Sequence, residues 1–326
     1  MKNKLLLGIL FFTLLLDADN ISFTFYNDFF GGSDGHFTNG ASFNWLEDKK
    51  KCDNVYTNML LSLAHKISLP VNGSKKYNAG ISLEQIIITP ENIDVKNVQY
   101  NDFPYAGYLS ISSFLFEWDD DSFNEYRVEI GVMGKYSGAE FIQKKFHKII
   151  KSEQPQGWST QLGTKYTLNF LLQHGVKAWQ RKIVNTLQTD WCYHYGMTAG
   201  NFDVSVFTGT GIRIGKNYVQ NFNVHYPYLK EEANLLSVDT LKHGFGWSLS
   251  SGLETKVLLY SVILDKASSD GYAVHKNILN ALAYFSGSIY YNQHKFRLFY
   301  EIPTPYIKED NAINIFGGFE YIYIFK

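Results

Sequence analysis

After its first 18 residues the sequence has no long hydrophobic run, and it has only two cysteines and no long basic run. No later stretch approaches the roughly 18 consecutive apolar residues of a membrane-spanning helix, which excludes such a helix from the mature chain. Cys52 and Cys192 lie far apart, match no metal-binding spacing and leave a disulfide open. The net charge of −1 gives no support for nucleic-acid binding, so no nucleic-acid partner is expected.

The N-terminus resembles an export signal. Lys2 and Lys4 precede an apolar run from Leu5 to Leu16, which is about a dozen residues long against the roughly 20 that a spanning helix needs. We therefore predict a signal peptide over residues 1–18. No internal repeat or Pro-rich linker divides the remainder, so residues 19–326 are interpreted as one domain.

Aromatic residues make up 17% of the chain, although its mean hydropathy is slightly negative. A soluble β-protein or a transmembrane barrel fits this composition, because a barrel alternates apolar and polar residues along each strand. Alternation between turn residues predicts twelve strands, at residues 21–29, 37–46, 77–89, 104–118, 123–135, 159–173, 187–198, 201–215, 246–260, 275–291, 294–303 and 312–325. The even count favours an all-β fold, a 12-stranded antiparallel transmembrane β-barrel of the outer membrane.

The strand count also assigns each connection to one side of the membrane. If the first strand starts on the periplasmic side, the odd-numbered strands run outward. The outward connections are then residues 30–36, 90–103, 136–158, a tight turn near 199, 261–274 and 304–311. Residues 47–76 and 216–245 become long periplasmic insertions, for which the sequence suggests no function.

One outward connection has helical periodicity. Over residues 139–150, apolar residues at 142, 146, 149 and 150 recur at the spacing of an amphipathic helix. This spacing predicts a short helix in an extracellular loop, with Gln143 and His147 together on a neighbouring face.

Four polar clusters fall on the outward side. They are Asn27-Asp28 with Asp34, Thr38-Asn39, Asp102 to Gly107, and Gln143 with His147 and Glu153. Each one by itself also fits an ordinary role, such as Asx turns beside Gly31-Gly32 or a solvated histidine. Because the strand count does not depend on these residues, the presence of acid, base and hydroxyl groups at one rim predicts a site there.

Three ordered segments carry a family resemblance. They are Tyr26–Gly40, then Thr89–Ile93 with Asp102–Leu109, then Gly138–His147 with Glu153, Trp158 and Gln161. Together, over roughly residues 21–165, they resemble the signatures of the lipid A 3′-O-deacylases. The resemblance implies a 12-stranded barrel that hydrolyses the ester-linked 3′ acyl chains of lipid A with the help of Ca²⁺.

The resemblance also implies which residues form the site. The positions that match the family's active-site residues are Asn27, Asp28, Thr38, His147 and Glu153. Asp28, Glu153 and Asn27 would supply the oxygen ligands of the calcium ion. Phe103 stands where the family usually has an arginine, and Lys96 in the same loop is a candidate substitute. We expect Lys96, Gln143 and Tyr105 to contact the substrate.

The chemistry of ester hydrolysis supports these roles independently. It needs a base with a pKa near neutrality, a water and a positive group where the oxyanion forms. His147 suits the base, and a hard cation held by carboxylate and amide oxygens would polarise the carbonyl. Thr38 would donate to the oxyanion or orient the water. Ile142 and Phe146 would face the barrel wall or the acyl chains.

Two other functions remain open. His36-Phe37-Thr38-Asn39-Gly40 loosely resembles the His-x-Ser-Asn-Gly stretch of outer-membrane phospholipases, with Thr38 in the position of their serine. A non-enzymatic barrel would act as a narrow porin at most. On the favoured interpretation the protein is a monomer in outer-membrane lipid, with its active site facing the extracellular side and lipid A of lipopolysaccharide as its substrate.

Overall fold

The computed structural model describes residues 20–27, 36–48, 62, 75–184, 186–225, 232–236, 244–310 and 315–325, with the side chains of 36–38, 48 and 232 excepted. The predicted signal peptide over residues 1–18 lies outside this range, as do Asp28 and Cys52. Within it, Cys192 is a buried free cysteine.

Twelve antiparallel strands form a closed barrel, in which each strand pairs with its sequence neighbours and the last pairs with the first. The strands are β1 (Asn20–Asn27), β2 (His36–Asp48), β3 (Lys76–Thr89), β4 (Ala106–Trp118), β5 (Ser122–Met133), β6 (Lys165–Val184), β7 (Leu187–Gly200), β8 (Asp203–Lys216), β9 (Phe245–Ser261), β10 (Leu279–Tyr291), β11 (His294–Pro303) and β12 (Phe316–Ile324). The predicted 12-stranded antiparallel barrel is therefore confirmed. The largest boundary errors are at β6, which begins at Lys165, after the 3-10 turn Gly157–Thr160, and extends to Val184 beyond the predicted 173.

The side chains of the strands alternate between the two faces of the wall. Along β8 and β11 every second residue is buried. The outward positions of the barrel form an apolar belt that includes Leu83, Ile111, Ile130, Phe170, Met197, Val206, Ile212, Leu249, Leu253, Phe285, Ile289, Leu298 and Tyr321. Such a belt is what contact with lipid requires. Within the described ranges, no helix combines the length and apolar character needed to cross a bilayer.

The lumen is lined by polar and charged side chains that pair with one another. Arg127 bonds Glu125 at 2.8 Å and Glu84 at 3.2 Å, and Arg213 bonds Asp190 at 2.8 Å. All five side chains are almost fully buried. Pairing matters because an isolated buried charge costs many times more than a hydrogen-bonded pair.

Two helices lie at the end of the barrel where the odd-numbered strands finish, which we call the helix end. They are α1 (Ala139–Ile150) and α2 (Val262–Ser269). The opposite end, where β1 starts and β12 finishes, is called the terminal end. The α1 range matches the predicted helix, whereas α2 falls in the predicted connection 261–274 and was missed.

The lumen is filled at both ends. At the terminal end, part of the insertion between β8 and β9 packs inside: Phe222 is fully buried, with its ring 4.9 Å from Phe123 and 6.4 Å from Trp118. At the helix end, Ile263 and Leu264 of α2 belong to the buried apolar cluster. The insertion for which the sequence suggested no function therefore contributes to an internal plug.

Candidate active site on the outer wall

Helix α1 lies across the outside of the barrel at the helix end. Its first residue, Ala139, packs on β4 at Gly107, where an added Cβ would come within 2.3 Å of the Ala139 side chain. Near its other end, Phe146 places its ring 6.1 Å from that of Phe25 on β1. The helix is about 18 Å long, which suffices to bridge the three strand spacings of roughly 14 Å between β4 and β1.

The helix turns polar residues towards the wall. Gln143 and His147 are buried together with Ala139, which confirms that the two polar side chains share a face. Ile142 is exposed, while Phe146 is partly buried against Phe25. Of the two apolar residues that we expected to face the barrel wall or the acyl chains, Phe146 packs on the wall and Ile142 points away from it. The physical reason is that the buried side of α1 contacts hydrogen-bonding groups, so polar residues are needed there.

Gln143 is held by a buried tryptophan. The indole Nε1 of Trp158 donates to Gln143 Oε1 at 2.8 Å. The Trp158 ring packs 5.1 Å from that of Tyr105, whose hydroxyl donates to the carbonyl of Ile93 at 2.7 Å. Burial raises the pKa of Tyr105. The motifs in the sequence gave Trp158 no role of its own, although it stands in the third signature.

This contact fixes the orientation of the Gln143 amide. An indole N–H can only donate, so the oxygen of Gln143 must face Trp158 and Nε2 must point away from it. Gln143 Nε2 is buried and has no hydrogen-bond partner among the described residues. A buried amide donor without a partner costs free energy unless a ligand or water accepts from it. The helix therefore presents one unused donor, one turn away from His147.

His147 is oriented by the chain that follows the helix. The α1 helix ends at Ile150 and is capped by Lys151, which has a left-handed φ of 58°; the amide of Ser152 then donates to the His147 carbonyl at 2.9 Å. The chain then returns, so that His147 Nδ1 lies 2.5 Å from the backbone oxygen of Glu153. Because a carbonyl only accepts, Nδ1 is the donor in this contact, and in the neutral imidazole Nε2 then holds the lone pair. This is the tautomer that a general base needs.

The comparisons with known proteins show the family and the fold of this chain. The model of the family described as outer membrane protein LpxR matches residues 5–325. The chain belongs to this family. The solved structure of LpxR from Salmonella typhimurium is similar to it at 14% identity, with a TM-score of 0.72 over 94% of this chain and 100% of that chain. This chain is an outer-membrane β-barrel with the LpxR fold, and the resemblance to the deacylase family is confirmed.

Other outer-membrane barrels match more distantly. The β domain of the Bordetella autotransporter BrkA is 9% identical, with a TM-score of 0.49 over 95% of this chain and 100% of that chain. An outer-membrane channel from Pseudomonas putida F1 is 9% identical, with a TM-score of 0.40 over 94% and 96%. No curated protein matches the sequence.

In this member of the LpxR family, two predicted site residues come from the first hairpin. Asn27 is buried at the end of β1, two residues beyond Phe25 on the same face of the strand, and it pairs with Asn39 of β2. The register between β2 and β3 shifts between Phe37 and Asn39, so Thr38 sits at a bulge. Bulges are frequent beside active sites. The hairpin end therefore lies on the wall that α1 reaches through Phe146. Asp28 lies outside the described residues.

The remaining predicted residues lie in three different settings. Glu153 contributes its backbone oxygen to His147, while its side chain is exposed. Lys96 is exposed in the loop between β3 and β4, and Tyr105 packs beneath that loop. Phe103, which replaces the arginine usual in the family, is buried in the apolar cluster at the helix end of the lumen. The loop thus supplies no cation at position 103.

The proposed metal ligands lie only in part within the described residues. Among the described ranges there is no group of three or more His, Cys, Asp and Glu side chains that could hold a metal ion. The predicted set of Asn27, Asp28 and Glu153 cannot be assembled from them alone, because Asp28 lies outside the described residues. A calcium site in this LpxR-family chain stays a prediction.

Proposed function

We propose that this chain is a calcium-dependent hydrolase that removes ester-linked 3′ acyl chains from lipid A. The observation that carries the proposal is the position of His147 and Gln143. Both lie on the buried face of α1, between the helix and the outer wall, and the same helix contacts the lipid-facing Phe25. A group that acts on a membrane lipid has to be reached sideways from the bilayer rather than through a lumen. On this proposal the helix end faces the extracellular side, as the strand order suggested.

The protein side chains would carry out the proton transfers. His147 Nε2 takes a proton from a water as the water oxygen attacks the ester carbonyl carbon. The amide Nε2 of Gln143 donates to the oxyanion that forms. When the tetrahedral intermediate collapses, the bond to the sugar oxygen breaks and the His147 imidazolium returns its proton to that oxygen. The products are a fatty acid and a sugar with a free hydroxyl group.

Calcium fits the chemistry of the candidate ligands. Carboxylate and amide oxygens from Asp28, Glu153 and Asn27 form the kind of hard donor set that calcium prefers. The exposed carboxylate of Glu153 has no ion-pair partner among the described residues, so it is free to act as a ligand. When bound, the cation would polarise the ester carbonyl and add positive charge near the oxyanion. Thr38 would orient the attacking water.

Substrate contacts complete the proposal. Lys96, exposed in the loop above the wall, would contact a phosphate of lipid A. Tyr105 would act through Trp158, since its ring supports the indole that orients Gln143. We also propose that residues 1–18 direct export and that the protein acts as a monomer.

The main test is hydrolysis by the purified protein. Lipid A in detergent micelles with millimolar calcium should lose ester-linked 3′ acyl chains, seen as a mass shift of the product. A parallel reaction with a glycerophospholipid should release nothing. Cleavage of the glycerophospholipid alone would instead support the phospholipase alternative, in which Thr38 is the nucleophile.

Removing calcium should reduce the rate by at least about 100-fold, because the oxyanion loses its main positive charge. The measurement is acyl release in excess chelator, followed by restoration with calcium. Glu153→Gln is the matched variant: it removes the carboxylate charge and keeps the backbone oxygen that orients His147. It should raise the calcium concentration needed for half-maximal rate by about 10-fold. Full activity in chelator would exclude the metal.

The plugged lumen gives a prediction against the porin alternative. Phe222 at one end and Ile263 at the other are buried inside the barrel. We expect no conductance steps when the purified protein is inserted into planar bilayers, because side chains packed at both ends of the lumen obstruct the passage of water and ions. Conductance steps in the absence of any acyl release would favour a porin.

A further inference from the structure

Four lysines line one shallow groove on and beside α1. They are Lys144, Lys145 and Lys148 of the helix and Lys135 of the turn that precedes it. One acidic side chain shares the groove: Glu140 bonds Lys144 at 2.6 Å, with both groups exposed. An exposed pair of this kind offsets one charge and contributes little to stability. The groove therefore keeps a clear excess of positive charge.

The same helix exposes large apolar side chains. Ile149 is 77% exposed and Phe141 66% exposed, and Ile142 and Ile150 are also exposed. A short helix with lysines and exposed apolar residues on the rim of a transmembrane barrel has the composition of helices that lie in the lipid headgroup layer. Lysine stems can extend along apolar surface while the ammonium groups contact phosphates. The charge and the apolar surface together favour an anionic lipid as the occupant.

The groove lies on the opposite side of the helix from the candidate catalytic groups. Gln143 and His147 face the wall, whereas Lys144, Lys145 and Lys148 are exposed. A lipid whose phosphate is held in the groove would have its sugar at the rim and its acyl chains along the apolar wall.

We propose that the groove formed by Lys135, Lys144, Lys145 and Lys148 is a binding site for the phosphate groups of a phosphorylated glycolipid in the surrounding leaflet. The proposal rests on the proposed function and deepens it: the site holds the substrate by its phosphates while Gln143 and His147 act on its ester. The proposed ligand is a phosphate carried by a lipid, because the exposed apolar side chains beside the groove can contact acyl chains and would make no contact with a free anion.

Binding can be tested without catalysis. The assay titrates His147→Ala protein in detergent with lipid A and, separately, with lipid A from which the phosphates have been removed. In this background K144Q/K145Q/K148Q should weaken binding of phosphorylated lipid A by at least about 10-fold, since each lysine near an anionic lipid surface contributes appreciably. Binding of the dephosphorylated form should not change. High salt should also weaken the binding of phosphorylated lipid A to the protein that keeps all the groove lysines.

Two matched controls accompany the triple variant. K144R/K145R/K148R keeps the charge and should bind as the lysine protein does, which separates charge from any defect in folding. R181Q/K182Q/K216Q removes three exposed cations at the terminal end and should leave binding unchanged. Equal loss in this control would mean that net charge, rather than the groove, governs binding, and would overturn the proposal.

The remaining outcomes are also decisive. Inorganic phosphate alone should not compete at concentrations near those of the lipid; effective competition would identify a simple anion site and contradict a lipid site. Equal binding of both lipid A forms to the unaltered groove would also contradict it. In an active background the triple variant should raise KM and change kcat less than about twofold. Because the titration uses an inactive protein, a failure of hydrolysis would leave the binding result standing.

Discussion

Replacing His147 by alanine is expected to lower acyl release from lipid A by about 1000-fold, within the range contributed by a positioned general base and acid. The reason is geometric. The contact between Nδ1 and the Glu153 backbone oxygen leaves Nε2 as an acceptor. The measurement is the initial rate of fatty-acid release at saturating calcium, beside a heat-modifiability gel that reports a folded barrel.

His275→Ala provides the matched control for this variant. His275 also lies at the helix end but is exposed, and its Nδ1 pairs with Glu309 at 2.6 Å. Its loss should leave the rate unchanged. Full activity in the His147 variant, or equal losses in both variants, would show that His147 is not the base and would overturn the mechanism.

Most of the barrel was predictable because strand periodicity is a local signal. Every second residue of β8 and β11 is buried, and such alternation can be read without knowledge of the partners of a strand. Strand ends are less well defined. β6 extends to Val184, well beyond the predicted 173, since its last residues are exposed and show no apolar alternation.

The parts that were missed depend on contacts between distant residues. The α2 helix has eight residues, too few for helical periodicity to stand out, and it is stabilised by packing with residues such as Phe103. Phe222 becomes a plug only because the barrel closes around it beside Phe123. Neither contact has a local pattern in the sequence.

In the candidate site, too, the features set by local spacing were predicted, and those set by contacts between distant residues were not. The i, i+4 spacing of Gln143 and His147 correctly predicted that they share a face. The spacing left open whether that face is turned to the wall or to solvent, because apolar residues of a helix in a membrane protein can face lipid as well as a core. Glu153 was selected for its carboxylate, whereas the contact to His147 uses its backbone oxygen. Every residue has a backbone oxygen, so a contact of this kind cannot be predicted from which residue occupies the position.

Replacing Gln143 by leucine is expected to lower kcat by about 100-fold and to change KM little, as when one oxyanion donor is lost. The Nε2 group has no partner among the described residues, so its removal costs the resting protein nothing at that atom. The Trp158 indole does lose its acceptor, which should cost about 1–3 kcal/mol of stability. The measurement is a kcat and KM pair at saturating calcium.

Trp158→Phe separates orientation from donation. The ring still packs on Tyr105, but the amide of Gln143 is no longer fixed, so kcat should fall about 10-fold, less than in the leucine variant. Since Trp158 acts only through Gln143, the double variant should be no slower than Gln143→Leu alone. A double variant in which the two losses multiply would mean that Trp158 contributes by a separate route, and the assigned chain from Trp158 to Gln143 to the oxyanion would then be wrong.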